Sequence, residues 1–538
     1  MSGTALDPRT ASPFPMAAHV SMADPQMRKN VRHATNVIQA KRARVVDEMP
    51  DWQQLREAGK QIRRHTMRHL DFYLEQFERN CTAAGGVVHW ARDAAEARRI
   101  VVELVKASGA NGVSPGGAPT TTTEVIKIKS MTTEEIQLNK ALEAAGIHAY
   151  ETDLAELIIQ LGHDQPSHIV VPALHKNRAQ IREIFRREMK LPGVDFSELG
   201  GTPQDLADAA RKFLREKFLR VKTAVSGANF LVAETGSVCI VESEGNGRMC
   251  LTLPDTLISV AGIDKVVPTY QDLEVMFQLL PRSATGERMN PYNSIWTGVD
   301  KSSSGGDGPR TFHVVLMDNA RTEILADVES RQTLHCIRCG ACQNSCPVYQ
   351  QTGGHAYGSV YAGPIGAILT PQLMEMHHAQ SLPYASSLCG ACYEVCPVKI
   401  NIPEVLIHLR NKVVKQQSSG LNILVNPEVL ALKAVAKVFQ SETVFRAAQK
   451  IGRLAELPLG HKDGQGEAWI DWLPGMLGGW TQVRDLHVMP KQTFRQWFEA
   501  RGKSAAGRRA RDMAGDGTAI HAGGRAADAV EKGAGDGR

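Results

Sequence analysis

The chain has 538 residues, 43% of them hydrophobic, with 62 basic and 57 acidic side chains and a formal net charge of +5. The apolar share excludes global disorder, and so slight a basic excess gives no case for a nucleic-acid binder. No apolar run approaches the roughly 18–20 residues of a membrane span, and MSGTALDPRTASPFPMAAHV lacks a basic-then-apolar secretory signal, so the expected location is the cytoplasm, with peripheral membrane attachment left open.

In chain order, residues 1–25 are rich in Pro, Ala and Ser and read as a flexible tail. From 26 to 80 apolar residues recur at helical spacing, which predicts a helical lead-in. GGVVHWARDAAEARRIVVELVKASGA reads as strand then helix, and GANGVSPGGAPTTTT, 109–123, as a loop without phosphate-binding spacing. VIKIK, IHAYETD, PSHIVVPAL and FHVVLMD read as strands, TTEEIQLNKALEAAG and KNRAQIREIFRREMK as helices, and 222–269 as a run of strands and turns. Strands alternating with helices predict an α/β domain with a largely parallel sheet, ending near 325. Next come a helical, cysteine-bearing module over 326–415 and a helical segment over 416–502 holding Trp469, Trp472, Trp480 and Trp497. Those tryptophans suit either a docking surface or a small core, the core being the plainer reading. Residues 503–538 read as a disordered tail.

Seven of the ten cysteines fall within 336–396 of this long chain, which points to metal ligation and not to a secreted disulfide scaffold. The others, Cys81, Cys239 and Cys250, read as small core residues. Cys336, Cys339, Cys342 and Cys346 follow C-x2-C-x2-C-x3-C-P, the bacterial iron–sulfur spacing, in which the fourth cysteine binds the other cluster. Cys389, Cys392 and Cys396 repeat the pattern, with Ser386 in the first place. The crossover gives one site of Cys336, Cys339, Cys342 and Cys396 and a second of Cys346, Cys389 and Cys392. Zinc is the rival, but structural zinc wants four ligands, often as two separated pairs. The missing ligand leaves three alternatives: a three-iron cluster, four irons with a non-cysteine ligand, or an iron open to water or a partner. Ser386 is a hard oxygen donor of high intrinsic pKa and ranks below a non-protein ligand; His377 and His378 are nitrogen candidates, more simply read as a solvated helix face. Gly340-Ala341 and Gly390-Ala391 either let amides approach sulfur or serve tight turns. A 42-residue spacer and flanking helices favour an all-helical, ferredoxin-like module.

The segments CIRCGACQNSCPVY, GGHAYGSVYAGPIGAILTP, SSLCGACYEVCPVKINIP, KSMTTEEIQLNKALE, GANFLVAETGS, VAGIDKVVP, WLPGMLGGWTQVRDL and FRQWF together resemble the lactate utilisation protein B family, from about residue 30 to about 500. In that family pattern a serine also stands at Ser386, while 109–123 resembles an insertion. The resemblance implies an iron–sulfur subunit with two clusters in a system that converts L-lactate to pyruvate. It also implies two companions: a protein with Cys-Cys-Gly motifs and a smaller protein sharing the α/β domain. The sheet it implies is of the isomerase and CoA-transferase type, an analogy that does not by itself assign function.

No flavin or nicotinamide fingerprint is present, so the chain is expected to work as an oxidoreductase subunit only with its companions. The alternative is an acyl- or CoA-transferase-like enzyme of the α/β domain with structural clusters, for which Glu234 is the candidate carboxylate; its plain reading is a turn-capping residue. Asn229, Thr235, Asn246, Arg248, Asp318 and Asn319 stand at predicted strand ends and turns, where ligand crevices form.

Overall fold

The computed structural model describes residues 7–109, 111–113, 119–300, 308–418, 427–462, 468–481 and 484–503. The chain divides into Met1–Gln417 and Ser418–Arg538. Among the described residues no helix is long and apolar enough to cross a membrane.

Helices Pro25–Asp47, Trp52–Arg68 and Leu70–Ala83 precede the first strand of the first unit. The first of these helices starts where Asp24 accepts the amides of Gln26 and Met27, both at 2.9 Å, with Pro25 in the first turn. The strands are β1 (Val87–Ala91), β2 (Asn111–Val113), β3 (Pro119–Lys127), β4 (Ile147–Glu151), β5 (Thr223–Ser226), β6 (Phe230–Val232), β7 (Ser237–Glu242), β8 (Thr256–Gly262), β9 (Val266–Val267), β10 (Tyr292–Trp296) and β11 (Thr311–Met317). The main sheet runs β1-β11-β8-β5-β3, with β4 and β2 also on β3. Every pairing in it is parallel except β2 with β3. Every residue of β5 and β8 is buried, so these central strands show no apolar–polar alternation, as expected when both faces are covered.

The direction of winding reverses at one place. From β3 the chain moves outward to β4; from β5 it proceeds the other way to β8 and β11. The loops after Lys127 and Ser226 therefore leave neighbouring strands at a topological switch point, where open α/β sheets form ligand crevices. A second sheet, β10-β7-β6-β9, stands beside the first.

Several elements depart from expectation. Residues 14–22, read as part of a flexible tail, form a helix that buries Phe14 and Ala18, with the Phe14 ring 4.9 Å from that of Tyr357. The segment at 166–174 is irregular where a strand was expected. Pro166 and Pro172 lack amides for a ladder, and Ser167 N bonds Pro172 O at 3.0 Å instead. Within 109–123 the described residues include β2 and the start of β3, paired by backbone bonds that composition does not report. Asn246–Thr252 is a helix within the expected strands and turns; Glu242 accepts the amides of Glu244, Gly245 and Arg248 at its start.

The expected boundary near 325 marks a change of pattern and not a gap. One apolar core joins Trp52, Phe230 and Leu273 to Ile337, Cys342 and Leu406. The lead-in helices belong to that seam: Gln39 donates to Asn344 O at 2.8 Å and Arg42 to Val395 O at 3.1 Å.

In the second unit, helices Pro427–Phe439 and Glu442–Glu456 precede a small sheet of His461–Lys462, Ala468–Ile470 and Leu486–His487, then helix Phe494–Lys503. The sheet was not expected in a helical segment. Trp472, Trp480 and Trp497 are exposed, so the tryptophans do not make a common core; Trp469 packs on His487 at 3.6 Å. Residues 504–538, expected to be disordered, lie outside the described residues.

Candidate functional site

The two cysteine repeats build the same turn. Arg338 and Gly340 have φ of 61° and 74°; Leu388 and Gly390, at the matching places, have 55° and 84°. In each repeat the glycine of the pair opens a short helix, Ala341–Asn344 or Ala391–Val395, which leads into Cys-Pro. A side chain at Gly390 would meet nothing within 4 Å, so the left-handed backbone alone calls for glycine there. An amide also reaches sulfur in this turn, from Ala341 to Cys339.

The absent cysteine has a counterpart in geometry. Arg338 N donates to Cys336 Sγ at 3.4 Å, and Leu388 N donates to Ser386 Oγ at 3.1 Å. The Ser386 hydroxyl thus makes, in the second turn, the contact that the Cys336 thiol makes in the first. Arg410 pins its loop, donating to Pro383 O at 2.9 Å and Ser386 O at 3.2 Å. His377 and His378 do not join this turn: they gather with Glu375 on the short helix Met376–Ala379, in a group that contains no cysteine.

The thiols fall into two electrostatic neighbourhoods. Cys336 and Cys396 act on Cys339, and Cys336, Cys339 and Cys396 act on Cys342. Cys389 acts on Cys346, and both of these act on Cys392. Cys342 and Cys392 link the two groups. Cys339, Cys342, Cys346, Cys392 and Cys396 are buried, Cys336 is partly covered and Cys389 is exposed.

Burial is the largest influence on the buried thiols, pushing Cys396 up to about 11 and Cys392 up to about 12. Such thiols stay neutral unless a cationic centre takes their protons' place. Amides are ready to support the sulfur anions: Tyr349 N donates to Cys346 at 3.5 Å and Ile400 N to Cys396 at 3.3 Å. Sulfurs around one tetrahedral zinc lie about 3.8 Å apart, from the usual Zn–S length. Among the described residues, no group of three ligand atoms within 4.8 Å of one another includes a cysteine.

Positive charge gathers on the first neighbourhood. Arg56, 7% exposed, donates to Cys396 O at 3.0 and 2.8 Å and to Tyr393 O at 3.1 Å. Arg338 donates to Cys336 O at 3.3 Å, and Arg42 carries a charge felt by Cys339. Sequence reasoning missed Arg42 and Arg56 because they sit nearly 300 residues upstream in helices that read only as amphipathic. Arg338 had a signal: it fills the position where the second repeat has Leu388.

The remaining candidates separate. Glu234 is exposed and accepts the Tyr270 amide at 3.1 Å, capping helix Tyr270–Ala284. This is the turn-capping role of its plain reading. Thr235 bonds Ser237 at 2.7 Å, Arg248 stacks on Tyr292 at 4.8 Å, and Asp318 holds Thr322 at 2.8 and 2.7 Å, all local contacts. Asn319 donates to Glu135 at 2.7 Å and borders a cavity of about 370 Å³. Asn229 and Asn246 border a larger cavity, of about 680 Å³, at the switch point. Ser167, His175 and Asp164 form a triad-like chain at 2.8 and 3.0 Å, but Ser167 is 2% exposed and also donates to Pro172 O, so it is a structural clasp. Cys81, Cys239 and Cys250 are core residues, their thiols raised by burial to about 11, 12 and 12.

Fold and site together define an α/β domain fused to an iron–sulfur module. Residues 74–317 match the LUD domain, and residues 332–400 match a 4Fe-4S dicluster domain. Residues 409–503 match the C-terminal domain of lactate utilisation protein B. The chain is 42% identical over 488 residues to lactate utilization protein B 1 of Bacillus mycoides, covering 90% of this chain and 96% of that one. It is 41% identical over 496 residues to lactate utilization protein B of Shouchella clausii, covering 92% and 98%. The chain belongs to the lactate utilization protein B family. A solved protein of the DUF162 family from Deinococcus radiodurans aligns over 46% of this chain and 98% of its own at 14% identity and a TM-score of 0.24, too slight a likeness to bear on fold or function.

Proposed function

We propose that this chain is the iron–sulfur electron-transfer subunit of an assembly that oxidises L-lactate to pyruvate. Cys336, Cys339, Cys342 and Cys396 would hold one 4Fe-4S cluster, and Cys346, Cys389 and Cys392 the other. The observation that carries this reading is the crossed grouping of the thiols, one group buried at the α/β seam and the other reaching the surface at Cys389. Clusters of this kind accept one electron each, whereas lactate oxidation releases two electrons, so a pair of adjoining sites matches the stoichiometry. The chain's own groups set the conditions. Arg42, Arg56 and Arg338 offset negative charge at the buried site, and backbone amides support the sulfurs. The companions in this reading are a Cys-Cys-Gly-motif protein and a smaller protein with the same α/β domain. The relatives' names, which speak of lactate utilization, support the substrate.

The test is electron paramagnetic resonance on the anaerobically purified chain with both companions, before and after L-lactate. Spectra of reduced clusters are expected after lactate. Clusters that dithionite reduces and lactate does not would overturn the lactate assignment. An oxidised three-iron signal beforehand, persisting in protein with full iron retention, would identify how the Ser386 turn is completed.

A further inference from the structure

The cavity of about 680 Å³ lies where the winding of the main sheet reverses. Its wall includes Ile128–Thr132 after β3 and Gly227–Asn229 after β5, the two loops that leave the sheet at that point. It also reaches Arg338, between Cys336 and Cys339. One crevice therefore touches both the ligand-binding end of an α/β sheet and the turn that carries the first thiol group.

The charges of its lining do not balance internally. Lys265 is 7% exposed, faces the cavity, and makes no hydrogen bond or ion pair among the described residues. Its neighbour Asp264 is already committed, to Arg321 at 2.6 Å and to Arg338 at 3.2 Å. The other acids of the lining are also engaged. Asp153 caps helix Leu154–Leu161, Glu242 accepts three amides, and Glu287 lies 3.8 Å from Lys41. Lys129 donates to Ile169 O at 2.5 Å and is 3.9 Å from Glu156, whose carboxyl is pushed well above its usual range by burial. Two polar atoms on the lining residues are buried without partners, Arg338 Nε and Asn246 Oδ1. Burial is the largest influence on Lys265 and pulls it down to about 7; Arg338 and Arg63 act the same way, and Asp264 and Cys336 oppose them. Unpaired buried charge is costly enough that such a group is normally matched by a ligand or partner.

We propose that Lys265, Arg338 and Asn246 form the floor of a carboxylate-binding site for a small 2-hydroxy acid and its 2-oxo product. The choice of acid rests on the function proposed above; the carboxylate site rests on the geometry. Lys265 and Arg338 meet the carboxylate, and the Asn246 side-chain oxygen accepts from a hydroxyl. A three-carbon acid fills only this floor, and the rest of the cavity is its approach.

The test uses the full chain with its clusters reconstituted anaerobically, and equilibrium binding of L-lactate, pyruvate and inorganic phosphate. Both acids bind and phosphate does not displace them. Lys265→Met weakens both at least about tenfold, the loss expected for a charge-assisted contact, while Lys265→Arg restores most of it. On the unsubstituted protein, pyruvate slows labelling of Lys265 by an amine-reactive reagent, read by mass spectrometry, and this readout needs no variant to fold. Equal binding by wild type and Lys265→Met, displacement by phosphate, or labelling that pyruvate leaves unchanged would each overturn the site. Lactate that reduces the clusters of the assembled complex while the chain binds no carboxylate sinks this site and leaves the proposed function standing. Carboxylate binding through Lys265 in a complex whose clusters lactate never reduces does the reverse.

Discussion

The two cysteine turns share a sequence and a backbone, yet they live in different surroundings. The first is packed into the core that joins the α/β domain to the cysteine module. His168 bonds Asn344 at 3.0 Å from the α/β side, and Gln39 donates to Asn344 O at 2.8 Å from the lead-in helices. The second turn presents Cys389, Leu388 and Tyr393 to solvent and has a hydroxyl in the leading place. Duplication therefore supplied the local geometry twice, and tertiary packing made the copies unequal. In the proposed function the buried copy receives electrons from within the chain and the exposed copy passes them on.

The sharpest way to break this comparison is to remove one thiol from each copy. Cys342→Ser empties a buried position on the shared core and is expected to cost more than about 4 kcal/mol, with loss of iron, because metal binding and folding are coupled there. Cys389→Ser is expected to lose iron from its own site at a cost below about 1 kcal/mol. Denaturant unfolding with iron analysis reads both, and equal costs would mean the two turns are equally structural.

The second test is pH. Burial holds His168 down from 6.5 to about 4. Its Nδ1 accepts the amides of Val170 and Val171, both at 3.0 Å, so the folded protein resists protonating it. The unfolded chain takes up that proton near 6.5. The contribution is therefore fully present above 6.5 and is lost as pH falls toward about 4, by roughly 3 kcal/mol in total. His168→Gln should flatten this part of the stability–pH curve; an unchanged slope would show that the acid sensitivity lies elsewhere.

Ser386→Cys restores the repeat. It is expected to change stability by less than about 0.5 kcal/mol at this partly exposed place, and to convert any three-iron signal to that of a four-iron cluster. A spectrum identical to wild type would mean that the side chain at 386 does not face the metal. The smallest effect is expected from Glu234→Gln: turnover unchanged and stability lowered by under about 1 kcal/mol, through a weaker helix cap. Abolished turnover would revive a transferase in the α/β domain.

Much of the architecture was legible from residue pattern. Cysteine spacing is local, and three residues at short intervals followed by Cys-Pro can be read without knowing what lies nearby. The parallel sheet was legible too, because strand-like and helical stretches alternate along the chain. The segment at 166–174 misled because its apolar composition suits a buried irregular loop as well as a strand. Phe14–Met22 misled because its apolar face gains meaning only against Tyr357 and its neighbours.

What the sequence determined by itself is the chemistry: seven thiols in two turns, one turn lacking its first ligand, and glycines where φ is positive. Only the tertiary structure decided which turn is buried, that Arg56 lies against Cys396, and that Lys265 faces a cavity without a partner. The physical reason is range. Turn geometry and ligand spacing depend on neighbours along the chain, whereas burial and charge compensation depend on residues hundreds of positions apart that only packing brings together.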